Sequence, residues 1–510
     1  MHRHAALGEV VAPCAAICPL HNEIPKWLAL FSAGKTREAW ELLTTTNPFP
    51  AILGRACYRF CETKCNHLAT SGNAVKVGAI ERSLGDLAIR EAWQFSYPEA
   101  VKDSVLVVGA GPAGLMAAFT LMKAGVPVTL VDRETEVGGM MRFVIPTYRL
   151  PPAVVSSEVA RILGAPHLTL RLGVNVDSAW INREKSHFAA IILAPGATLA
   201  KKLHDLPDDN TVATITALLY LRLVAQSQPF TKKNRVIVYG GGNTAMDAAR
   251  TALRLGATVT TIIYHRVAER MSAAKEEIAA AREEGIRILC ERTITALKDH
   301  QVQLVDQEGN TETLAADLVI WALSQQPDLQ ALPDLTLQDN GTLAVDNRQM
   351  TNFNGIFAAG DAVTNRRNLP TALASGRTAA QAVISYLENR DQVAILPDQL
   401  AVPGNPQQKL EKPQYETKLA VEKRIANFDE VNLGFDLQAA KSEAQRCYRC
   451  GHCIACGKCY TACPVGAIAS DESSRQALNV DTKRCLGCGK CVRGCPTGAI
   501  AWHNSNDNVD

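Results

Sequence analysis

The chain has 510 residues, 20% of them charged, and a formal net charge of +2. At about 100–200 residues per domain this length predicts three or four domains, and the near balance of charge favours neither nucleic acid nor an anionic membrane as a partner. The start of the chain, Met1 to Pro13, mixes His and Arg with short apolar runs, unlike a secretory signal peptide. We therefore expect a cytoplasmic protein that is neither secreted nor membrane-spanning.

The cysteines indicate metal binding rather than cross-linking. Sixteen are present, and between Cys65 and Cys447 there is only Cys290. A disulfide scaffold would spread its cysteines evenly through a small chain. Cys290 lies in an apolar run and is predicted to be a buried core thiol. The amino-terminal cysteines are Cys14, Cys18, Cys57, Cys61 and Cys65.

The first nucleotide-binding motif follows the apolar run Val105–Val108, which predicts a buried strand. The run leads into G-A-G-P-A-G, from Gly109 to Gly114, and then into an Ala- and Leu-rich helical stretch. Glycines in this place allow a tight turn and let a pyrophosphate approach the helix amino terminus. Asp132 ends the next predicted strand, where an acid binds the adenosine ribose. This context predicts a dinucleotide site.

A second motif of the same kind begins at Val236 and continues through G-G-G-N-T-A, from Gly240 to Ala245. The chain is therefore predicted to bind two nucleotides. The strand that follows ends in His265 and Arg266 instead of an acid, which suits the 2′-phosphate of NADP better than the hydroxyl of NAD. The alternative is that these two side chains are solvated surface charges.

A third segment, G-I-F-A-A-G-D from Gly355 to Asp361, has the pattern of a strand, a tight turn and an acid. We expect Asp361 to lie beside the ribitol and phosphate of a flavin, and an ordinary strand-to-helix turn is the alternative. Disulfide reductases with two such domains pass electrons from the flavin to a C-x-x-C pair, and none lies between Cys65 and Cys447. Electrons must leave the flavin by another way.

Near its carboxyl end the chain contains two copies of C-x2-C-x2-C-x3-C-P, the pattern of bacterial ferredoxins with two 4Fe–4S clusters. The alternative is zinc, whose C-x2-C pairs are usually separated by a longer loop. Because the fourth cysteine of each run ligates the other cluster, the expected ligands are Cys453, Cys456, Cys459 and Cys495 for one cluster, and Cys485, Cys488, Cys491 and Cys463 for the second.

Taken together, these motifs resemble a known family, which comprises the small chain of glutamate synthase, the amino-terminal half of dihydropyrimidine dehydrogenase and related NAD(P)H-dependent iron–sulfur flavoproteins. The resemblance covers nearly the whole chain. Its marks are G-A-G-P-A-G at Gly109, G-G-M-M-R-F-V-I-P at Gly138, G-G-G-N-T-A-M-D at Gly240 and G-I-F-A-A-G-D at Gly355. The ferredoxin run is an addition to the pattern of the glutamate synthase small chain.

The resemblance implies a multidomain fold with an α-helical iron–sulfur domain, two Rossmann-like α/β domains and an α+β ferredoxin-like domain. The NAD(P) domain is expected to be inserted in the FAD domain. The implied ranges are 1–100 for the helical domain, 101–200 and 330–395 for FAD, 201–329 for NAD(P), 396–446 for a linker and helix, and 447–510 for the ferredoxin domain. The implied nucleotide contacts are Gly109, Gly111, Pro112, Ala113, Gly114, Asp132, Arg133, Gly138, Gly139, Met140, Arg142, Ala194, Gly196, Gly240, Gly242, Asn243, Thr244, Ala245, His265, Arg266, Gly360, Asp361, Thr371 and Ala372.

For the helical domain the resemblance implies an unusual arrangement. The family places a C-x2-C pair before its C-x3-C-P run, but here no cysteine precedes Cys14. A segment like the family's approach to that pair occurs instead at 428–435, before a helix that leads to Cys447 and Cys450. The resemblance thus implies a permuted cluster held by Cys14, Cys18, Cys447 and Cys450. The alternative is that these four bind zinc or nothing.

A further cluster is implied for Cys57, Cys61 and Cys65, which need a fourth ligand. Related proteins use Gln or a similar oxygen ligand about one helix further on, where this chain has Glu81. Glu81 could equally be a surface residue of a helix. With the ferredoxin pair, this count predicts four 4Fe–4S clusters.

These features predict an electron-transfer flavoprotein. A nicotinamide delivers two electrons as a hydride whereas each cluster accepts one, so FAD is expected between them. No catalytic residue is predicted beyond the cofactors, and the carbon substrate is expected to belong to a partner oxidoreductase, such as one acting on an aldehyde or a 2-oxoacid, within a hetero-oligomer. The alternatives are a stand-alone NAD(P)H:ferredoxin reductase, a glutamate synthase small chain, and a non-enzymatic iron–sulfur scaffold or redox sensor.

Overall fold

The computed structural model describes residues 3–7, 11–101, 103–201, 203, 206–228, 233–388, 412–451, 453, 456–470 and 478–504. Of the linker and helix expected at 396–446, residues 396–411 lie outside the described residues. The chain forms two compact units, Met1–Ala92 with Leu396–Glu416 and Gly434–Asp510, and Trp93–Ile395 with Thr417–Leu433. None of the described helices combines the length and apolarity that a membrane crossing requires.

The amino-terminal part of the first unit is helical, as predicted. Several helices begin at or just before a proline, whose fixed φ suits the first helical turn. Large side chains, among them Trp27, Trp40 and Phe31, are almost fully buried between the helices. The elements are β1 Arg3–Leu7, α1 Pro13–Ile17, α2 Ile24–Ser32, α3 Thr36–Thr44, α4 Pro50–Ala56, α5 Phe60–Thr63, α6 His67–Ser71 and α7 Val77–Arg90.

The second unit contains two parallel sheets. The first part of this unit consists of β2 Val105–Val108, α8 Pro112–Lys123, β3 Val128–Asp132, α9 Met140–Phe143, α10 Pro152–Leu163, β4 Leu168–Leu172, α11 Ser178–Glu184, β5 Ala190–Leu193 and β6 Leu199–Ala200. All residues of β2 and β5 are buried. Central strands of a parallel sheet are covered on both faces, so their sequences are continuously apolar.

The middle of this unit consists of β7 Ala213–Thr216, α12 Ala217–Ala225, β8 Arg235–Tyr239, α13 Asn243–Arg254, β9 Val259–Tyr264, α14 Lys275–Glu283, β10 Arg287–Cys290, β11 Arg292–Lys298, β12 Gln301–Asp306, β13 Thr311–Ala315, β14 Leu318–Trp321 and β15 Gln325–Gln326. Its parallel sheet has the order β10-β9-β8-β14-β7. Cys290 ends the edge strand β10 and packs against the hydrophobic core, but it is half-buried and so less buried than the predicted core thiol.

The end of this unit returns to the first parallel sheet. Its elements are β16 Ile356–Ala358, α15 Leu369–Leu387, β17 Thr417–Lys418, α16 Val421–Ala426 and β18 Asn432–Gly434, the last of which ends in the first unit. Strand β16 pairs with β5, which gives the order β16-β5-β2-β3-β4. The chain therefore leaves this sheet after β5 and rejoins it at β16, so the second sheet is formed by an insertion. The predicted fold class is confirmed.

The carboxyl-terminal part of the first unit is a small α+β module. Its elements are α17 Leu437–Gln445, α18 Lys458–Ala462, β19 Ile468–Ser470, β20 Leu478–Val480, α19 Lys490–Gly494 and β21 Ile500–Asn504. Strand β19 pairs with β20, and β21 pairs with β1 in antiparallel register, with Leu7 opposite Ile500. The amino-terminal strand thus forms a two-stranded sheet with the last strand of the carboxyl-terminal module, separate from the β19–β20 pair, which the sequence did not predict.

Candidate redox cofactor sites

The loop between β2 and α8 has the geometry of a pyrophosphate cradle. Gly109 has a positive φ of 103°, a conformation that side chains with a Cβ rarely adopt. A Cβ on Gly114 would lie 1.7 Å from the carbonyl oxygen of Gly109, so only glycine lets α8 start this close to the strand. The carboxylate of Asp132 accepts hydrogen bonds from the N–H groups of Ala110 (2.6 Å) and Glu134 (2.8 Å). The first motif and its acid therefore meet at the carboxyl ends of β2 and β3.

The third sequence motif lies beside the first. A Cβ on Gly360 would approach the side chain of Ala113 to 2.7 Å, which places the turn after β16 against the start of α8. The Oδ1 atom of the next residue, Asp361, is buried and has no hydrogen-bond partner among the described residues. Burial raises the pKa of Asp361 to about 6, although the nearby Arg367 guanidinium acts in the opposite direction. A flavin ribitol hydroxyl is a donor that such a carboxylate oxygen lacks, so the residues fit FAD.

The second nucleotide motif lies at the corresponding edge of the other sheet. The Asn243 side chain accepts a hydrogen bond from the N–H of Ala274 (2.8 Å), which ties the start of α13 to the segment before α14. Beyond the end of β9, His265 and Arg266 are both exposed. Burial and the Arg266 charge lower the pKa of His265. Of the two side chains, the arginine therefore offers the permanent positive charge for a phosphate.

A buried network of charges supports this motif and was not predicted. Arg250 and Arg254 on α13 both donate to Glu284, and all three are buried. Arg149, from the segment after α9, donates to both carboxylate oxygens of Asp247 at 2.7–2.8 Å. Buried charges persist only when paired and hydrogen-bonded. The three charged residues of the Ala-rich helix α13, Asp247, Arg250 and Arg254, are the sequence signal that could have revealed the network.

In the carboxyl-terminal module the cysteines surround two cavities. One cavity is lined by the first three cysteines of the first run and the last of the second, Cys453, Cys456, Cys459 and Cys495. The other is lined by Cys485, Cys488, Cys491 and Cys463, together with Ala5 of β1. Burial favours a higher pKa for Cys463, but backbone hydrogen bonds, led by the N–H of Ala467 at 3.2 Å, lower it. The crossed division of ligands expected from the spacing agrees with these two cavities.

Cysteines from both ends of the chain line a third cavity. Its lining includes Cys14, Cys65, Cys447 and Cys450, with Cys61 also reaching it. Burial raises the pKa of Cys14, and the charges of Cys447, Cys450 and Cys65 raise it further. Burial, followed by the charges of Cys447 and Cys65, raises the pKa of Cys450 to about 12. Four thiols at mutual electrostatic range are a donor set that fits a 4Fe–4S cluster.

The remaining ligands form a separate group. Burial raises the pKa of Cys57 to about 12, and the charges of Glu81 and Cys18 contribute. Cys61 interacts with Cys57, Glu81 and Cys18, and its pKa is also raised, chiefly by burial. Glu81 lies on α7, is 9% exposed and accepts a hydrogen bond from the Asn47 side chain. Glu81 is therefore not a surface residue, and three thiols with one carboxylate fit the second cluster.

This grouping corrects the division of ligands expected from the sequence, which joined Cys14 to Cys18 and Cys65 to Cys57 and Cys61. Helices α1 and α5 pack against each other. Cys14 comes close to Cys65 at one end of this pair, while Cys18, where α1 ends in extended backbone, comes close to Cys61 at the other. The segment of each short helix thus contributes cysteines to both sites, and cysteines that are neighbours in sequence belong to different sites.

Helix α17 is fixed to the amino-terminal helices by a buried ion pair. Glu443, with no exposed surface, accepts hydrogen bonds from the N–H of Lys76 and the guanidinium of Arg446. Arg446 also donates to the carbonyl oxygen of Asn73 at 2.8 Å. The His67 ring stacks on Tyr448, with centroids 3.7 Å apart. These contacts hold the chain at residues 446–450, where Cys447 and Cys450 face Cys14 and Cys65.

Asn66 connects the shared site to the ferredoxin module. Its side-chain amide donates to Cys450 Sγ (3.3 Å) and to the carbonyl oxygen of Pro496 (2.8 Å), which follows Cys495. The N–H of Gly451 donates to the carbonyl oxygen of Thr497 at 2.8 Å. Cys450 of one site is also only three residues before Cys453 of the next. The two sites are therefore neighbours through both hydrogen bonds and the chain.

In the described part of the chain, no three Cys, His, Asp or Glu side chains are close enough together to hold a single metal ion. Three of the cysteine groups described above line cavities.

Three family profiles match the chain. The pyridine nucleotide-disulphide oxidoreductase family matches residues 103–377, the dihydropyrimidine dehydrogenase domain II, 4Fe-4S cluster, matches residues 9–93, and the 4Fe-4S dicluster domain matches residues 452–499. These matches support FAD, NAD(P) and 4Fe–4S clusters as cofactors.

Among curated proteins, the small chain of NADPH glutamate synthase from Azospirillum brasilense is 32% identical over 75% of this chain and 88% of its own length. Subunit beta of the NADP(+)-dependent formate dehydrogenase from Moorella thermoacetica is 28% identical over 86% of this chain and 71% of its own. Among solved structures, FprA of Mycobacterium tuberculosis in complex with NADPH has a TM-score of 0.51 and 15% identity, over 57% of this chain and 85% of that one. This last likeness concerns the fold alone.

Proposed function

Because this chain belongs to the pyridine nucleotide-disulphide oxidoreductase family, we propose that it acts as the electron-transfer subunit of a larger oxidoreductase. It is an NAD(P)-dependent FAD oxidoreductase with 4Fe–4S domains towards both ends. In the proposed role it carries electrons between NAD(P) and a partner that transforms a small molecule. The direction of electron flow depends on the reduction potentials of the clusters, which vary widely with the environment of each cluster.

The observation that carries this proposal is the adjacency of the shared site and the ferredoxin module. Cys450 and Cys453 are three residues apart, and Asn66 bridges Cys450 Sγ and the backbone after Cys495. A simple nicotinamide-dependent flavoenzyme has no need of a row of metal sites. The row supports a path that delivers electrons away from the flavin to another protein.

Four 4Fe–4S clusters are proposed, in the order given by these contacts. The first has the ligands Cys18, Cys57, Cys61 and Glu81, and the second has Cys14, Cys65, Cys447 and Cys450. The third has Cys453, Cys456, Cys459 and Cys495, and the fourth has Cys485, Cys488, Cys491 and Cys463. The second, made from both ends of the chain, joins the helical domain to the ferredoxin module.

The nucleotide sites are proposed to work through the residues already placed. The N–H groups at the start of α8 receive the FAD pyrophosphate, and Asp361 accepts a hydrogen bond from the ribitol. The start of α13 receives the second nucleotide, and Arg266 offers its charge to the 2′-phosphate of NADP. When bound, FAD exchanges a hydride with the nicotinamide and single electrons with the clusters.

The partner is proposed from the relatives. A formate dehydrogenase subunit beta aligns with most of this chain, which favours a hetero-oligomer whose other subunit binds an aldehyde, a 2-oxoacid or a similar small molecule. A stand-alone NAD(P)H:ferredoxin reductase is the second candidate, favoured by the ferredoxin module itself. The third candidate is a glutamate synthase small chain. It is ranked last because the ferredoxin module is an addition to the pattern of that small chain.

Anaerobically purified protein with FAD provides the test. NADPH or NADH should reduce benzyl viologen, and the ratio of kcat/KM for the two nucleotides measures the proposed NADP preference. Failure with both nucleotides would contradict the electron-transfer role and favour the scaffold or sensor. Copurification with a partner oxidoreductase distinguishes the subunit from the stand-alone reductase.

A further inference from the structure

Four exposed basic residues lie within two residues of the cysteines Cys485 and Cys491 in sequence. Residues 482–504 contain no Asp or Glu. The preceding carboxylate, Asp481, accepts a hydrogen bond from the N–H of Lys483 at 3.0 Å and so caps the local turn. We name this set the basic rim, and its members are Lys483, Arg484, Lys490 and Arg493.

The two arginines of the basic rim are held at the cavity. Arg484 donates to the carbonyl oxygen of Val465 at 3.0 Å, and Val465 lines the cavity. Arg493 donates to the carbonyl oxygen of Cys488 at 2.9 Å. Their positive charges are therefore fixed beside the site rather than dispersed in solvent.

Apolar surface lies inside the rim. Leu486 is 67% exposed and Trp502 is 39% exposed, and both line the cavity of Cys485, Cys488 and Cys491. Cys488 itself is exposed. Exposed aromatic and aliphatic side chains enclosed by a charged rim are the usual composition of a protein interface. The exposed cysteine would bring its cluster close to whatever docks there.

The first run of the ferredoxin module offers an internal comparison. Alignment of the two runs places Lys458 opposite Lys490, but Thr461 stands opposite Arg493. Of the residues from 453 to 463, only Lys458 is charged. The concentration of positive charge is thus a property of the second run and not of cluster binding.

We propose that the basic rim, with Leu486 and Trp502, docks a small acidic iron–sulfur protein that exchanges electrons with this site. The inference rests on the proposed function, since only an electron path gives the site something to exchange. Charge complementarity selects an acidic partner and accelerates encounter. Two electrons from the reduced carrier, with one proton, convert NAD(P)+ to NAD(P)H, and the reverse reaction has the same balance.

The test measures binding on the intact protein, with its cofactors, under anaerobic conditions. The probe is an acidic ferredoxin with two 4Fe–4S clusters, and calorimetry gives its Kd. The variants are Lys490→Gln and Lys483→Gln/Lys490→Gln, because the lysines, unlike the arginines, have no described backbone contact through their side chains. The matched control is Lys458→Gln in the first run.

We expect Kd to rise about threefold for Lys490→Gln and about tenfold for the double variant, and to change less than about twofold for Lys458→Gln. Added salt should weaken binding of the unmodified protein more than that of the double variant. Equal effects of Lys458→Gln and Lys490→Gln, or a Kd independent of salt, would overturn the inference. Binding of the rim to anionic lipid vesicles with no binding of the ferredoxin would overturn it too.

A parallel assay separates this inference from the proposed function. Dithionite-reduced benzyl viologen should drive NAD(P)+ reduction equally well in the unmodified protein and the lysine variants. Loss of this reaction in the unmodified protein would count against the proposed function, whereas unchanged ferredoxin binding with intact dye activity would count against the basic rim.

Discussion

The cysteine sites of the helical domain and those of the ferredoxin module differ in their exposure. Every cysteine of the helical-domain sites is at least half-buried, whereas Cys456 and Cys488 of the module are exposed. Burial raises the pKa of Cys447 to about 11. In the module, Cys495 is subject to the same effect of burial, yet hydrogen bonds from Thr497 and nearby N–H groups lower its pKa.

This difference separates shielded sites from accessible ones. Burial raises the pKa of Cys57 and Cys447 although each accepts a hydrogen bond from a backbone N–H, so these thiolates would depend on the positive charge of bound iron. Exposed sites with backbone donors can exchange electrons with another protein. In the proposed electron path, the helical domain would therefore contribute the shielded sites and the module the accessible ones.

The largest expected effect comes from breaking the buried ion pair that holds α17. Arg446→Met leaves the buried Glu443 carboxylate with backbone N–H donors from Lys76 and Gln414 but without its charged partner, which should destabilise the shared site by about 3–5 kcal/mol. We expect iron analysis to show a loss of about four atoms while the two ferredoxin clusters remain. Glu443→Gln added to Arg446→Met should restore part of the loss.

The matched control for that experiment is Arg37→Met. Arg37 forms an exposed pair with Glu41 at 2.7 Å, and such pairs contribute about 0–1 kcal/mol. Equal iron loss in Arg37→Met and Arg446→Met, or full iron in both, would mean that the ion pair does not position the shared site.

A smaller effect is expected at the flavin. Asp361→Asn removes the carboxylate that would accept from the ribitol, and charged hydrogen bonds of about 1.5–3 kcal/mol predict FAD binding weaker by about 10- to 100-fold. In FAD-free protein the same substitution should stabilise the fold. The folded-state pKa of Asp361 is raised to about 6. Ionisation of its carboxyl group therefore lowers the free energy of unfolding as pH rises from the pKa of the unfolded chain through about 6.

The thermal midpoint therefore gives a signed check. In FAD-free protein, Asp361→Asn should unfold at higher temperature than the unmodified chain near pH 7.5, and the difference should vanish near pH 4. An equal difference at both pH values, together with unchanged FAD affinity, would show that Asp361 does not face the flavin.

The smallest effect concerns the link between the shared site and the module. Asn66→Ala removes the N–H donor to Cys450 Sγ. Donors to cluster sulfur stabilise the reduced, more negative state, so the potential of one cluster should fall by tens of mV. A redox titration followed by electron paramagnetic resonance measures this. The control is Asn73→Ala, whose side chain donates only to the carbonyl oxygen of Ser71 among the described contacts; equal shifts in the two variants would contradict the link.

The parts of the molecule that could be predicted from sequence are those whose contacting residues lie close together in the chain. The ferredoxin runs and the two glycine motifs contain their ligands or their turns within a dozen residues, so spacing determines the geometry. The pairing of β1 with β21 joins residues nearly the whole chain apart, and no local pattern encodes it.

The predicted division of the helical-domain cysteines between two clusters was wrong for the same reason. Whether Cys14 shares a site with Cys18 or with Cys65 depends on how α1 packs against α5, which is a tertiary contact. Asn66 and the Glu443–Arg446 pair were missed because polar residues next to cysteines are common on surfaces. Their burial, rather than their identity, makes them functional.

The most direct test of the shared site compares iron content and paramagnetic signals in paired cysteine variants. Cys65→Ala and Cys447→Ala should each lose about four of about sixteen iron atoms and the same signal, and the double variant should lose no more. Cys18→Ala should remove a different signal, so that Cys18→Ala with Cys447→Ala loses about eight. The site formed by Cys14, Cys65, Cys447 and Cys450 would be contradicted by the reverse result. In that case the double variant Cys18→Ala/Cys447→Ala would lose only about four iron atoms, and Cys65→Ala/Cys447→Ala would lose about eight.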